Sequence, residues 1–226
     1  MATYIQGDIH KVIKTLETNS IELIYTNPPY GTTANEWDKP LNWKELWTDM
    51  WRILKPNGVI VLHASKPFSY KLIQSQTPNY NYSWIKKEHT NFFHAKKQPL
   101  RKVEEVYVFY KKKHTYNPQM IGDDIITSIV NGYSKKYYGD RGQGKDSKGH
   151  FLTSTHIGRY PTDVLEFERT IRGGKTISDD MIDFFIKTYS NENDLVLDMT
   201  THNKVVGNRV IELKRKFIGI DLIKIE

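Results

Sequence analysis

The chain has no cysteine. It can carry neither a disulfide framework nor a thiolate metal site, and the expected setting is intracellular. No apolar run approaches the roughly 18 residues that a membrane helix needs, so no membrane partner is expected. The opening MATYIQGDIHKVI lacks the charged, apolar and small-residue succession of a secretory signal. The eight histidines have no metal-ligand spacing, such as two on one helical turn with a nearby glutamate, and no metal is expected. There is no internal repeat, which argues against a solenoid or propeller.

What is present is enough for one sizeable domain: 226 residues, 38% of them hydrophobic and 12% aromatic. The formal net charge of +7 and the pI near 9.3 favour a polyanionic partner, because Lys and Arg that neutralise phosphates release counterions. Charge alone does not separate a nucleic-acid binder from an ordinary basic protein.

Ile21 to Thr26 is a short β-branched run that stops at Asn27-Pro28-Pro29, where two prolines forbid a continuing central strand. Trp43, Leu46, Trp47, Met50, Trp51 and Leu54 recur at helical steps until Pro56-Asn57-Gly58 breaks the pattern. Val59 to His63 is the next apolar run, and strand, helix and strand in succession predict a layered α/β domain. Further strands are expected at Tyr82 to Lys87 and Val103 to Lys111, around a basic loop holding His94, Lys96, Lys97, Arg101 and Lys102. From about Gly122 to Arg159 repeated Gly, Ser, Lys and Tyr show little periodicity, which reads as exposed or flexible structure. A helix capped by Ser178 and running to about Tyr189 follows. Strands at Leu195 to Asp198 and Phe217 to Asp221 then bracket a helix from about Val205 to Leu213.

Thr26-Asn27-Pro28-Pro29-Tyr30-Gly31, directly after a predicted strand, is the strongest chemical signal. An exocyclic base amine is a poor nucleophile because its lone pair is delocalised into the ring. A site that uses it must hold acceptors that draw its N–H bonds toward a tetrahedral arrangement. Asn27 offers a side-chain oxygen and Pro28 a backbone carbonyl, while Pro28 and Pro29 stiffen the loop. Tyr30 offers a face for stacking an extracted base. Taken alone, the tetrapeptide is an ordinary strand-ending turn.

It does not stand alone. Gly7-Asp8 precedes it, and Trp37-Asp38, KPNGVIVLHASKPF (55–68), NFFHAKKQPLRKVEEVYVFYKKKHTYNP and RYPTDVLEF follow it. In this order the chain resembles the circularly permuted, β-type amino-group DNA methyltransferases of phages and restriction-modification systems, over most of its length. The resemblance implies a Rossmann-like α/β fold, with a mixed, mostly parallel sheet and helices on both faces. It implies one methyltransferase domain over 1–226 with a target-recognition insertion at about 114–160, S-adenosylmethionine as cofactor and double-stranded DNA as partner, and it accommodates a homodimer. Asn27, Pro28, Pro29 and Tyr30 become the catalytic candidates. Asp8, Asp198, Thr200, His202, Asn203, Asp221 and Lys175 become those for the cofactor, with Asp221 ending a strand where it would accept from ribose hydroxyls. Lys96, Lys97, Arg101, Lys102, Lys135, Lys136 and Arg141 become those for DNA. Asparagine before Pro-Pro points to N6 of adenine, with N4 of cytosine as the alternative.

Two segments depart from the family pattern. In Asp198-Met199-Thr200-Thr201-His202-Asn203-Lys204-Val205-Val206-Gly207, His202 and Lys204 stand where cofactor-loop glycines are expected, and Gly207 matches a later one. Gly173-Gly174-Lys175-Thr176 keeps only the lysine of a His-Pro-Thr-x-Lys-Pro segment. A phosphate-loop reading of those glycines fails, since Arg169 occupies its first required glycine. The altered cofactor loop leaves two readings: a rearranged loop that still binds, or a DNA-binding protein or regulatory subunit that has lost its cofactor. RNA as substrate is a third possibility.

Overall fold

Ile21–Thr26 is buried almost throughout, as a strand covered on both faces must be. It lies at the centre of the computed structural model, which describes residues 1–87, 96–97, 99, 103–130, 152–167 and 177–223. The elements in chain order are β1 (Ala2–Gln6), α1 (Ile9–Thr15), β2 (Ile21–Thr26), α2 (Trp43–Ile53), β3 (Leu54–Ala64), α3 (Phe68–Ser75), β4 (Tyr80–Lys87), β5 (Val103–Phe109), β6 (Ile121–Val130), β7 (Leu152–Arg159), β8 (Val164–Glu166), α4 (Asp179–Tyr189), β9 (Leu195–Asp198), α5 (Val205–Glu212) and β10 (Lys216–Asp221). By contact the chain divides into one unit of Met1–Asn117 with Asp163–Glu226 and a second of Pro118–Thr162.

In the larger unit, eight strands form one sheet in the order β1-β10-β9-β2-β3-β5-β4-β8. The first five are parallel, and β5 runs antiparallel to both β3 and β4. The carboxyl ends of β1, β10, β9, β2 and β3 therefore share one edge, the edge at which open α/β sheets bind ligands. The first and last strands are neighbours: Ala2 pairs with Phe217 and Gln6 with Asp221. The Gly7 N–H donates to the Asp221 carbonyl at 2.7 Å, bringing the two ends of the chain to the same place.

One sheet face packs on Ile9 and Ile13 of α1, Leu46, Trp47, Met50 and Ile53 of α2, and Phe68 and Leu72 of α3. The other packs on Met181, Ile182, Phe185, Ile186 and Tyr189 of α4 and on Val210 of α5. Helices thus cover both faces, as expected. The three- and four-residue steps along α2 produce its buried stripe, and two of its three indoles have polar partners: Trp47 Nε1 donates to Ser75 Oγ at 2.8 Å and Trp51 Nε1 to Gln76 Oε1 at 3.1 Å, while Trp43 Nε1 is buried without one among the described residues. The start of α4 is fixed by Ser178, whose hydroxyl accepts from Met181 N, with Asp179 and Asp180 in the first turn facing the positive end of the helix dipole. Arg209 of α5 clasps Asp183 of α4 through one guanidinium edge, Nε donating to Oδ1 at 2.8 Å and Nη2 to Oδ2 at 2.5 Å. No helix among the described residues is long and apolar enough to cross a membrane.

In the second unit, part of the stretch read as exposed or flexible forms the antiparallel pair β6 and β7, mostly exposed where described but regular, with Thr127 Oγ1 3.1 Å from Thr155 Oγ1 across the ladder. The sequence shows no alternation there because these strands do not divide into an apolar and a polar face: Ile121, Ile125 and Ile157 are all exposed. Gly158 is required on steric grounds, since its φ is +76° and a Cβ would lie 2.5 Å from the Gly122 carbonyl.

Candidate active site

At the carboxyl end of β2, the loop holding Asn27 is stitched to the loop after β9. Thr26 Oγ1, fully buried, accepts from Met199 N at 3.0 Å, and Thr200 Oγ1 donates to the Asn27 backbone carbonyl at 3.3 Å. Asn27, Pro28, Pro29 and Tyr30 follow with Pro28 buried and the other three half-buried. The Tyr30 hydroxyl donates to Asn27 Oδ1 at 2.8 Å, which orients the amide. A carbonyl oxygen has two lone pairs, so Oδ1 retains one for an incoming N–H. The Pro28 carbonyl takes no partner among the described residues and is the loop's second open acceptor. Phe68 covers one face of the Tyr30 ring at 5.2 Å and 17°, and Trp43 packs against Phe68 at 5.6 Å. A planar group stacking on Tyr30 must use its other face.

The following turn is held by a residue to which sequence reasoning gave no role. The Asp38 carboxylate, 6% exposed, accepts from the backbone N–H groups of Gly31, Thr32 and Thr33 at 2.7, 2.9 and 2.7 Å. Burial pushes its pKa up, but these bonds and the Thr33 hydroxyl outweigh it and hold the group below the usual carboxylate range. Gly31 sits at φ +65°, and a Cβ on it would meet Pro40 Cγ at 2.4 Å. The turn therefore closes tightly on its own exit. Asp38→Ala is expected to cost about 1–3 kcal/mol, the scale of losing charge-assisted bonds to partly buried donors. Thermal unfolding at pH 7 measures this. The stabilisation from Asp38 is present above its unfolded pKa and lost as pH falls through the lower folded value, so the gap between variant and wild type narrows in acid.

The loop after β9 carries, without backbone strain, side chains at positions where glycines are expected. Thr201 N donates to the Ile220 carbonyl at 2.9 Å, Thr201 Oγ1 to the Asn203 carbonyl at 3.0 Å, and Asn203 Oδ1 accepts from Val205 N at 3.0 Å as α5 begins. His202, Asn203 and Lys204 are exposed. None has positive φ: among the described non-glycine residues only Asn19, Asn193 and Lys214 do. A Cβ at 202 or 204 thus costs no backbone strain. The crowded positions lie elsewhere. At Gly207 a Cβ would meet Tyr4 Oη at 2.2 Å and the Phe217 ring at 2.8 Å, and at Gly219 it would meet Thr201 Cγ2 at 2.5 Å.

Three carboxylates stand at or just past the carboxyl ends of neighbouring parallel strands. Asp8 follows β1 and caps α1, accepting from His10 N at 2.9 Å. Asp221 ends β10 and accepts from Ile223 N at 3.0 Å. Asp198 ends β9, is 4% exposed, and accepts from Thr200 N at 3.2 Å. Burial pushes the Asp198 pKa up to about 7 and the Asp221 charge adds to the shift, while bonds from Thr200, Thr26 and Thr201 oppose it. The backbone N–H groups of His202, Asn203 and Lys204 take no partner among the described residues.

This donor and acceptor set fits S-adenosylmethionine. Its ammonium and sulfonium charges would relieve the desolvated Asp198, and its ribose hydroxyls need acceptors of the kind Asp221 supplies. Asp8, Asp198, Thr200, His202, Asn203 and Asp221 all lie on one sheet edge, next to Asn27. Lys175 lies outside the described residues, as do Arg101, Lys102, Lys135, Lys136 and Arg141. Lys96 and Lys97 are exposed in a turn. Sequence reasoning gave no individual role to Asp38, Phe68, Thr26 or Thr201, although all four stand within the motifs it singled out.

Comparison with known proteins shows the family and the fold. The chain is 27% identical over 234 residues to the type II methyltransferase M.HpaI of Haemophilus parainfluenzae, covering 95% of this chain and 68% of that protein. The solved structure of the cytosine-N4-specific PvuII DNA methyltransferase superposes with a TM-score of 0.64 at 14% identity, over 98% of this chain and 82% of that one. The M1.HpyAVI complex with S-adenosylmethionine superposes with a TM-score of 0.61 at 19% identity, over 99% and 95%. The family model for DNA methylases of the N6 and N4 type matches residues 21–225. The chain belongs to that family of DNA methylases, whose methyl donor is S-adenosylmethionine.

Proposed function

We propose that the chain methylates the exocyclic N6 amine of adenine within a specific sequence of duplex DNA. The observation that carries this reading is the pair of bonds joining the two loops, Met199 to Thr26 and Thr200 to Asn27. They hold the acceptors for an amine and the carboxylates for a cofactor at adjacent strand ends.

S-adenosylmethionine, held by Asp198, Asp221 and the 199–204 loop, supplies a methyl group made electrophilic by its sulfonium. Asn27 Oδ1 and the Pro28 carbonyl accept the two N–H bonds of the target amine and turn its lone pair out of conjugation. Tyr30, backed by Phe68, stacks the extracted base, and its hydroxyl fixes the polarity of the Asn27 amide. Lys96, Lys97, Arg101 and Lys102 lie along DNA phosphates, and the unit of Pro118–Thr162, with Lys135, Lys136 and Arg141, reads the target sequence. Asparagine ahead of Pro-Pro supports adenine over cytosine.

The test is nucleoside analysis by mass spectrometry of plasmid DNA from cells that express the chain. N6-methyldeoxyadenosine absent from control DNA is the expected product. N4-methyldeoxycytidine in its place would overturn the choice of base, and neither product, from protein that binds DNA, would favour the non-catalytic reading.

A further inference from the structure

Trp37 is 68% exposed, while its neighbour Asp38 is 6% exposed and bonded to the residue after Tyr30. Trp37 is the most exposed Trp, Tyr or Phe among the described residues, and burying such a ring against a partner is strongly favourable. The loop that carries it is not slack. Asp38 anchors three backbone N–H groups, Asp38 N donates to the Asn35 carbonyl at 3.0 Å, the Asn35 side chain donates to Thr33 Oγ1 at 3.1 Å, and Gly31 abuts Pro40. An indole held out on a stiffened turn is preorganised for contact and loses little conformational entropy on insertion. Exposed charges of both signs flank the ring, Glu36 and Lys39 on this loop and Lys66 just past β3.

We propose that Trp37 is a wedge that enters the DNA stack where the target base has left it. The inference rests on the methyltransferase reading. Extracting a base for Tyr30 leaves a gap whose neighbours have lost stacking, and a planar apolar side chain recovers part of that loss. Tyr30 and Asn27 act on the extracted base. Trp37 acts on the duplex it leaves, so it positions the substrate and takes no part in methyl transfer.

The experiment compares wild type with Trp37→Ala and Trp37→Phe on two duplexes carrying a target site mapped by sequencing of modified plasmid DNA. One duplex is intact, and in the other the target base lies opposite an abasic site and is already unpaired. The Ala variant is expected to lose 10-fold or more in kcat/KM on the intact duplex and less than about 3-fold on the other, with Phe recovering part of the loss. The exposed position predicts an unchanged Tm. Equal losses on both duplexes, or none on either, would overturn the wedge. Equilibrium binding by fluorescence anisotropy is followed on the same DNA and on unmapped duplexes with and without an abasic gap. If the wild type transfers no methyl to any DNA, the methyltransferase reading fails. The wedge then stands only if the wild type prefers gapped DNA and Trp37→Ala loses that preference, and it falls otherwise.

Discussion

Replacing Asn27 with alanine lowers the turnover of methyl transfer by about a thousandfold, while the dissociation constant for S-adenosylmethionine stays within about twofold of wild type. Removing the side chain deletes the oxygen that accepts from the Tyr30 hydroxyl and that, on the proposed reading, also accepts from the amine. The contacts that hold the cofactor loop to β2 run through Thr26 and the Asn27 backbone, which the substitution leaves in place. An interaction realised mainly as the amine becomes tetrahedral appears in kcat and hardly in binding. Single-turnover kinetics beside a cofactor titration separates the two quantities. Near-wild-type turnover in the variant would remove Asn27 from the chemistry.

Asp198→Asn weakens cofactor binding about 10- to 100-fold and at the same time stabilises the free protein at alkaline pH. Both effects come from one buried carboxylate with its pKa raised by burial to about 7. Because the folded value lies above the unfolded one, the stability linked to this group is fully present below the unfolded pKa and is lost as pH rises through about 7. Asparagine does not ionise, so the variant's advantage grows between pH 5 and pH 8 to an order of a few kcal/mol, readable as Tm against pH. Cofactor binding runs the opposite way. A cationic ligand favours the ionised carboxylate, so wild-type affinity falls as pH drops below about 7 and that dependence vanishes in Asp198→Asn. A variant with unchanged affinity and the wild-type pH profile would place the cofactor's charge elsewhere.

The sequence was most legible where burial imposes a period. The run from Ile21 to Thr26, the tryptophan steps of α2, the Ser178 cap and the β9-α5-β10 unit all appear within a residue or two of their expected places. The elements that went unread lack such a signal. Ala2–Gln6 is an edge strand with mostly exposed residues, and Phe68–Ser75 is two turns long. β6 and β7 leave most of their described residues exposed, apolar ones included, so no buried face imposes a period. In the site, the Asn27 loop declared itself through Pro-Pro next to a strand end. Asp38 and Thr26 did not, because their roles depend on backbone donors that no side-chain pattern encodes. The glycines missing at 202 and 204 left open whether the loop still binds cofactor, and the steric constraint sits instead at Gly207 and Gly219, where the loop and α5 press against the sheet.

On the proposed reading the loop still binds the cofactor, and calorimetric titration of the purified protein with S-adenosylmethionine, with DNA present and absent, tests this most directly. Saturable binding to one site per chain, weakening as pH falls below about 7, is the predicted result. No binding under either condition would contradict the account and make the chain a methylase fold retained for DNA binding alone.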